Sequence, residues 1–78
     1  MKITILVFGK LTEILPQQHL ELADEPTTVG TVRARLEAQF PALKSMRYRM
    51  AVDKKMATDD TPLTENAEVA LLPPFSGG

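Results

Sequence analysis

The chain has 78 residues, enough for one domain with a single core, because a domain of this size hides only about 60–65% of the surface its unfolded chain exposes. Nine Lys and Arg against ten Asp and Glu leave a formal charge of −1, too balanced for an electrostatic grip on nucleic acid. The absence of cysteine removes disulfides, thiolate metal sites and a cysteine nucleophile, and the apolar run Ile3–Phe8 is far short of the ~20 residues a membrane span needs. A soluble, cytoplasmic protein without membrane or nucleic-acid contacts is therefore expected.

Lys2 to Phe8 reads as a first strand, since branched and aromatic residues crowd a short run that ends at Gly9. Period two sends Ile3, Ile5 and Val7 to one face and Thr4, Leu6 and Phe8 to the other, so both faces want cover. One cover is the core. The other is either a partner or this chain's own connector at Leu11–Leu15 or the loop after Pro41. That connector reads as short and helical, stopped before Pro16.

His19-Leu20-Glu21-Leu22 alternates like a half-buried strand, and His19, the one histidine, reads as a solvated strand residue rather than a ligand. Asp24 to Thr28 is loop, with Thr28 placed to cap the next helix through its hydroxyl. In that helix Val29, Val32, Leu36 and Phe40 form an apolar stripe, Arg33, Arg35 and Glu37 face water, and Pro41 ends it. Residues 42–48 give only a short turn of helix or a loop. Arg49–Val52 and Lys55–Ala57 flank Asp53-Lys54 as a hairpin, although Asp-Lys is a poorer turn than Asp-Gly. In the connection that follows, Leu63 anchors to the core and Asn66 suits a positive φ. Glu68–Leu72 is the last strand. The pattern as a whole predicts an α+β domain.

Past Leu72 come Pro73-Pro74-Phe75-Ser76-Gly77-Gly78. Two prolines keep the exit extended and stiff, and two residues without Cβ let the end lie in a slot too narrow for any side chain. At about 3.3–3.6 Å per extended residue, residues 73–78 reach roughly 20 Å, deep enough to enter another protein's active site. The expected division is a domain over residues 1–72 and a flexible tail over 73–78. No Ser-His-Asp set, acid–base pair, phosphate loop or metal cluster is visible, so the one reactive group in a special setting is the Gly78 carboxylate.

The run Glu68-Val69-Ala70-Leu71-Leu72-Pro73-Pro74-Phe75-Ser76-Gly77-Gly78 resembles the end of the small subunits of molybdopterin synthase, a sulfur-carrier family with a ubiquitin-like fold. The resemblance extends to Phe8 with the 11–15 connector, Thr28-Val29 leading into Val32 and Leu36, Ala51-Val52, and Pro62-Leu63-Thr64. Family members often have Asn where Asp53 stands and Gly-Asp where Asn66-Ala67 stand, differences confined to turns. The resemblance implies a β-grasp, a mixed sheet with one main helix across one face. It also implies that Gly78 is adenylated by an ATP-using, ubiquitin-activating-like enzyme, converted by a sulfur donor to a thiocarboxylate, and presented to the large synthase subunit. There it would give sulfur to cyclic pyranopterin monophosphate in molybdenum cofactor biosynthesis, with no bound cofactor or metal and no catalytic side chain on this chain. Gly77, Ser76, Phe75 and Pro74 would thread the partner enzymes' pockets, and Phe8, Leu6, Met56 and Leu72 would form the partner interface. A carrier for thiazole or another sulfur product, a ubiquitin-like modifier joining Gly78 to lysine, and a non-covalent interaction module are the alternatives.

Overall fold

The six-residue run with a branched apolar side chain at every second position becomes an interior strand. β1 (Lys2–Val7) buries Ile3, Ile5 and Val7 completely or nearly so and leaves Thr4 and Leu6 half covered on its other face. The computed structural model describes residues 1–22 and 27–74, so Asp24, Glu25 and Pro26 of the expected loop, and Phe75 to Gly78 of the expected tail, lie outside the described residues. β2 (Gln18–Glu21) is antiparallel to β1, with Thr4 facing His19. β5 (Glu68–Leu72) runs parallel to β1 along its other edge, with Leu6 facing Ala70. β3 (Arg49–Val52) is antiparallel to β5, and β4 (Lys55–Met56) completes a sheet of order β2-β1-β5-β3-β4. A parallel pair cannot be closed by a tight turn, and the chain between β1 and β5 carries the helix α1 (Val29–Gln39) over one face. This is the α+β, mixed-sheet, single-helix architecture expected.

α1 buries Val29, Val32 and Leu36 at spacings of three and four, and Phe40, at its C-cap, packs half-buried against the same core. Pro41 then opens a 3-10 turn (Pro41–Ser45) that inserts Leu43 into that core. The cap at the other end differs from expectation. Thr28 does occupy the N-cap position in extended backbone, but its hydroxyl makes no capping bond and lies 3.4 Å from Thr31 Oγ1. The first-turn N–H groups of Val29 and Gly30 donate instead to the carbonyls of Thr61 and Asp59, both at 2.9 Å. The 58–61 turn crosses the helix start and satisfies the donors that a side-chain cap would otherwise have to meet. Gly30 permits that crossing, because a Cβ there would stand 3.2 Å from both Asp59 Cβ and Asp59 O.

Two connections also depart from the sequence pattern. The first begins earlier than Leu11, as a 3-10 turn over Gly9–Glu13, and Phe8 lies just past the end of β1 rather than inside it. The hairpin is shorter than expected, ending at Met56, with Ala57 N–H donating to the Met50 carbonyl at 3.0 Å. Its turn places Asp53 at φ 49° and Lys54 at φ 73°, the doubly left-handed geometry that matches strand twist. Asp53 holds this costly conformation through two bonds to β5: its N–H donates to the Glu68 carbonyl at 2.8 Å, and its Oδ1 accepts from Glu68 N–H at 3.0 Å. Asn66 adopts φ 66° and Leu63 is buried, both as expected.

Candidate functional site

The sheet has two faces, and only one is covered by the helix. β-strand register sorts the outer face into rows, since paired residues share a side. One row runs Leu6, Ala70, Ala51, Met56 across β1, β5, β3 and β4. The next row toward the C-terminal end of β5 holds Leu72, paired with Arg49, and the Phe8 side chain beyond the end of β1. On the opposite side of the Leu6 row stand His19, Thr4 and Glu68. The outer face thus carries His19, Thr4 and Glu68 at one end, and Leu72 and Phe8 with Arg49 beside them at the end where β5 hands the chain to Pro73-Pro74.

Leu6, Phe8, Ala51, Lys54, Met56, Glu68, Ala70 and Leu72 line one shallow depression there. The structure accordingly brings together all four residues singled out as a partner surface, Leu6, Phe8, Met56 and Leu72. Among the described residues, Phe8 and Met56 are the large apolar side chains most open to water, at 44% and 57% of their full exposure. Among the described residues, neither the connector after β1 nor the segment after Pro41 turns its aliphatics to this face: Leu11, Leu15 and Leu43 are all in the core with Ile3, Ile5 and Val7. Pro74 is exposed at the root of the tail, and Phe75, Ser76, Gly77 and Gly78 lie outside the described residues.

Sequence reasoning did not name Ala70 and Ala51, whose small side chains make the centre of the depression, nor Lys54 and Glu68 at its rim. Alternation along β5 was enough to find Ala70, because Val69 and Leu71 point inward and their neighbours must point out. Ala51 needed the register of β3 against β5, which no local pattern reveals.

Two polar clusters frame the domain without adding chemistry to it. On the outer face His19 Nδ1 lies 3.2 Å from Thr4 Oγ1 and is open to solvent. On the helix side Arg33 Nε donates to Asp59 Oδ1 at 2.9 Å while its guanidinium sits 5.0 Å from the Tyr48 ring centroid, and Tyr48 OH donates to Glu37 Oε2 at 2.7 Å. Arg33 and Glu37 are therefore tied down rather than simply solvated. Burial, then the bond to Glu37, push the Tyr48 phenol up to about 12 against the opposing charge of Arg33. Among the described residues no group of three or more His, Cys, Asp or Glu is placed to hold a metal, and no helix is long and apolar enough to cross a membrane.

This architecture has clear relatives. The ThiS family model matches residues 5–78. The chain is 32% identical over 80 residues to the molybdopterin synthase sulfur carrier subunit of Escherichia coli, an alignment covering 97% of this chain and 99% of that protein. It is 31% identical over 83 residues to the subunit of the same name from Mycobacterium tuberculosis, covering 100% of this chain and 99% of the other. Among solved structures, SAMP1 from Haloferax volcanii matches with a TM-score of 0.80 at 24% identity over the whole of both chains. A protein from Helicobacter pylori, solved as a complex of subunits 1 and 2 of molybdopterin-converting factor, matches with a TM-score of 0.74 at 20% identity, again over the whole of both chains. At those identities the solved structures speak for the fold, the ubiquitin-like β-grasp. The family model and the two relatives above 30% identity go further: the chain belongs to the ThiS family, and two proteins similar to it along nearly its whole length are molybdopterin synthase sulfur carrier subunits.

Proposed function

We propose that the chain is the sulfur carrier of a molybdopterin synthase. Its Gly78 carboxylate is joined to AMP by an ATP-using adenylating enzyme, a sulfur donor displaces AMP to leave a thiocarboxylate, and the charged tail enters the large synthase subunit. There the sulfur passes to cyclic pyranopterin monophosphate, and the carrier returns as a carboxylate to be charged again. The observation that carries this reading is the continuity of the apolar outer face with the exit of the chain: Leu6, Phe8, Met56 and Leu72 line one depression, and Leu72 is the last residue of the strand that leads into Pro73. A reactive end delivered by an adjoining docking surface needs no catalytic residues of its own, and the groups that position the pterin and move protons belong to the partner. The assembly of the Helicobacter pylori relative with a second subunit supports the same division of labour. Contiguous apolar patches of this kind mark interfaces in small soluble proteins.

Intact-mass analysis after incubation with ATP, the cognate activating enzyme and a sulfur donor tests the proposal. The mass is expected to rise by sulfur minus oxygen at Gly78, and to fall back on addition of the large subunit and cyclic pyranopterin monophosphate. A shift that maps to an internal residue, or that survives deletion of Gly78, refutes it. An adenylated Gly78 is also competent to acylate a lysine amine, the use made of such an end by a protein modifier. Appearance of isopeptide-linked products with no thiocarboxylate would favour that second reading.

A further inference from the structure

The tightest approach involving a described glycine is between Gly9 and Pro73. Gly9 has φ +61°, and a Cβ placed on it would stand 2.9 Å from Pro73 Cγ, 3.5 Å from Cδ and 3.6 Å from Cβ. The first of these is closer than real Cβ atoms come to a neighbour, so something would have to shift. Pro73 is a poor candidate to give way cheaply, because its ring is bonded back to the backbone nitrogen and displacing it displaces the chain. Residue 9 is no freer. Phe8 N–H donates to the Leu71 carbonyl at 3.2 Å, Thr12 Oγ1 donates to the Gly9 carbonyl at 2.8 Å, and Leu11 is wholly buried two residues on. The backbone at Gly9 is thus a fixed stop, and the first residue after β5 seats its ring against it.

We infer that Gly9 is a positioning residue for the tail: the missing side chain lets Pro73 lie against the turn after β1, and that contact sets the direction in which Pro73-Pro74 leaves the sheet. The consequence for charging of Gly78 rests on the carrier function proposed above; the geometry does not. A side chain at position 9 acts on the tail through Pro73, so its effect depends on the proline ring.

A double-mutant cycle isolates this dependence. Gly9→Ala is expected to lower kcat/KM for thiocarboxylate formation about tenfold with Pro73 present, and less than threefold in the Pro73→Ala background, where Cγ and Cδ are gone. Backbone strain at φ +61° is common to both backgrounds and cancels. Gly9→Asn carries the same Cβ on a residue that tolerates left-handed backbone, so it is expected to behave like Gly9→Ala and also covers the case in which Gly9→Ala does not fold. Equal losses in both backgrounds, undiminished charging, or normal charging by Gly9→Asn overturns the inference. Cα–Hα residual dipolar couplings supply the independent arm. Those of Pro73 and Pro74 are expected to reorient in the position-9 variants while those of β1 and β5 stay fixed, and unchanged couplings at Pro73 and Pro74 overturn the inference. Should the unaltered chain fail to be charged at all, the carrier reading falls alone and the couplings still decide the role of Gly9.

Discussion

Replacing Met56 with aspartate separates the outer face from the fold more cleanly than replacing Phe8. Complete burial of a Met or Phe side chain is worth about 1.5–3 kcal/mol relative to leaving it in water. Met56 retains 57% of its exposure, so more than half of that gain, about 1–1.5 kcal/mol, is still available to a docking partner. Phe8 retains 44%, which leaves about 1 kcal/mol for docking and means that the larger share already supports the domain. An aspartate at either position removes the apolar gain and asks the partner to cover a carboxylate, which is expensive without a paired charge. We expect Met56→Asp to weaken binding to the large synthase subunit by at least about 2 kcal/mol, roughly thirtyfold in Kd, the size expected at the centre of an interface.

Its cost to folding, read from the urea midpoint, is expected to be about 0.6–1.3 kcal/mol, the part of the Met56 burial gain the domain already holds, with little further loss because β4 is a two-residue edge strand and both of its residues are exposed. Phe8→Asp is expected to lose as much binding but also about 1–2 kcal/mol of stability. Titration calorimetry against the large subunit measures the first quantity and urea denaturation the second. The reasoning is refuted if Met56→Asp binds within twofold of the unaltered chain, since a half-exposed methionine beside the depression would then lie outside any interface. It is equally refuted if Met56→Asp unfolds the domain.

Lys54→Gly is expected to raise stability by about 0.5 kcal/mol in urea melts: relief of a lysine at φ 73° outweighs the added freedom of the unfolded chain, and a lower midpoint would contradict the strained-turn account. Asn66→Ala is expected to cost about 1 kcal/mol and Asn66→Gly close to nothing, because φ 66° suits glycine and asparagine but not alanine; equal losses would point to the side chain instead. Tyr48 is the one tyrosine in a chain without tryptophan, so tyrosinate absorbance reports it alone. Its folded pKa lies above the ordinary value near 10, so the neutral phenol's contribution to stability is fully present below pH ~10 and is lost as pH rises through about 12. Glu37→Gln should lower the absorbance midpoint while leaving it above 10, because burial, the larger cause, persists; an unmoved midpoint would remove Glu37 from the account.

Much of the fold was legible because local pattern and tertiary packing agree. Ile3, Ile5 and Val7 alternate and are buried together, Val29, Val32 and Leu36 keep helical spacing on one stripe, and Pro41 ends the helix where it stands. What escaped the pattern depends on contacts between distant segments. Thr28 has the residue type of a cap, yet the carbonyls of Asp59 and Thr61 take the donors it was expected to meet. Asp53-Lys54 looked like a weak turn, and nothing adjacent in sequence announces that Glu68 would hold Asp53 in place from β5. Arg33 and Glu37 read as solvated because Asp59 and Tyr48 are far from them along the chain. The site divides the same way. Leu6, Phe8 and Leu72 follow from alternation, whereas Ala51 and the seat of Pro73 on Gly9 follow from strand register and from the parallel pairing of β1 with β5.

Under the proposed function, that parallel pairing also explains how so small a domain could serve both a docking surface and a reactive end. β5 contributes Val69 and Leu71 to the core, and Ala70 and Leu72 to the outer face, before passing directly into Pro73-Pro74. Core, outer face and tail root therefore share one strand, held on both edges by β1 and β3. No hinge separates the surface that would bind the partner from the residues that carry the chain away from it. Under the proposed function, the distance from the docked face to the chemistry is then set by chain length alone, about 20 Å for the six residues after Leu72. Inserting a residue between Pro74 and Gly77 would lengthen that reach by about 3.5 Å while leaving the face untouched, so sulfur transfer should fail while binding to the large subunit persists. Transfer at an undiminished rate would show that the partner measures the tail from its end, and that the rigid root at Gly9 and Pro73 does not fix the depth of entry.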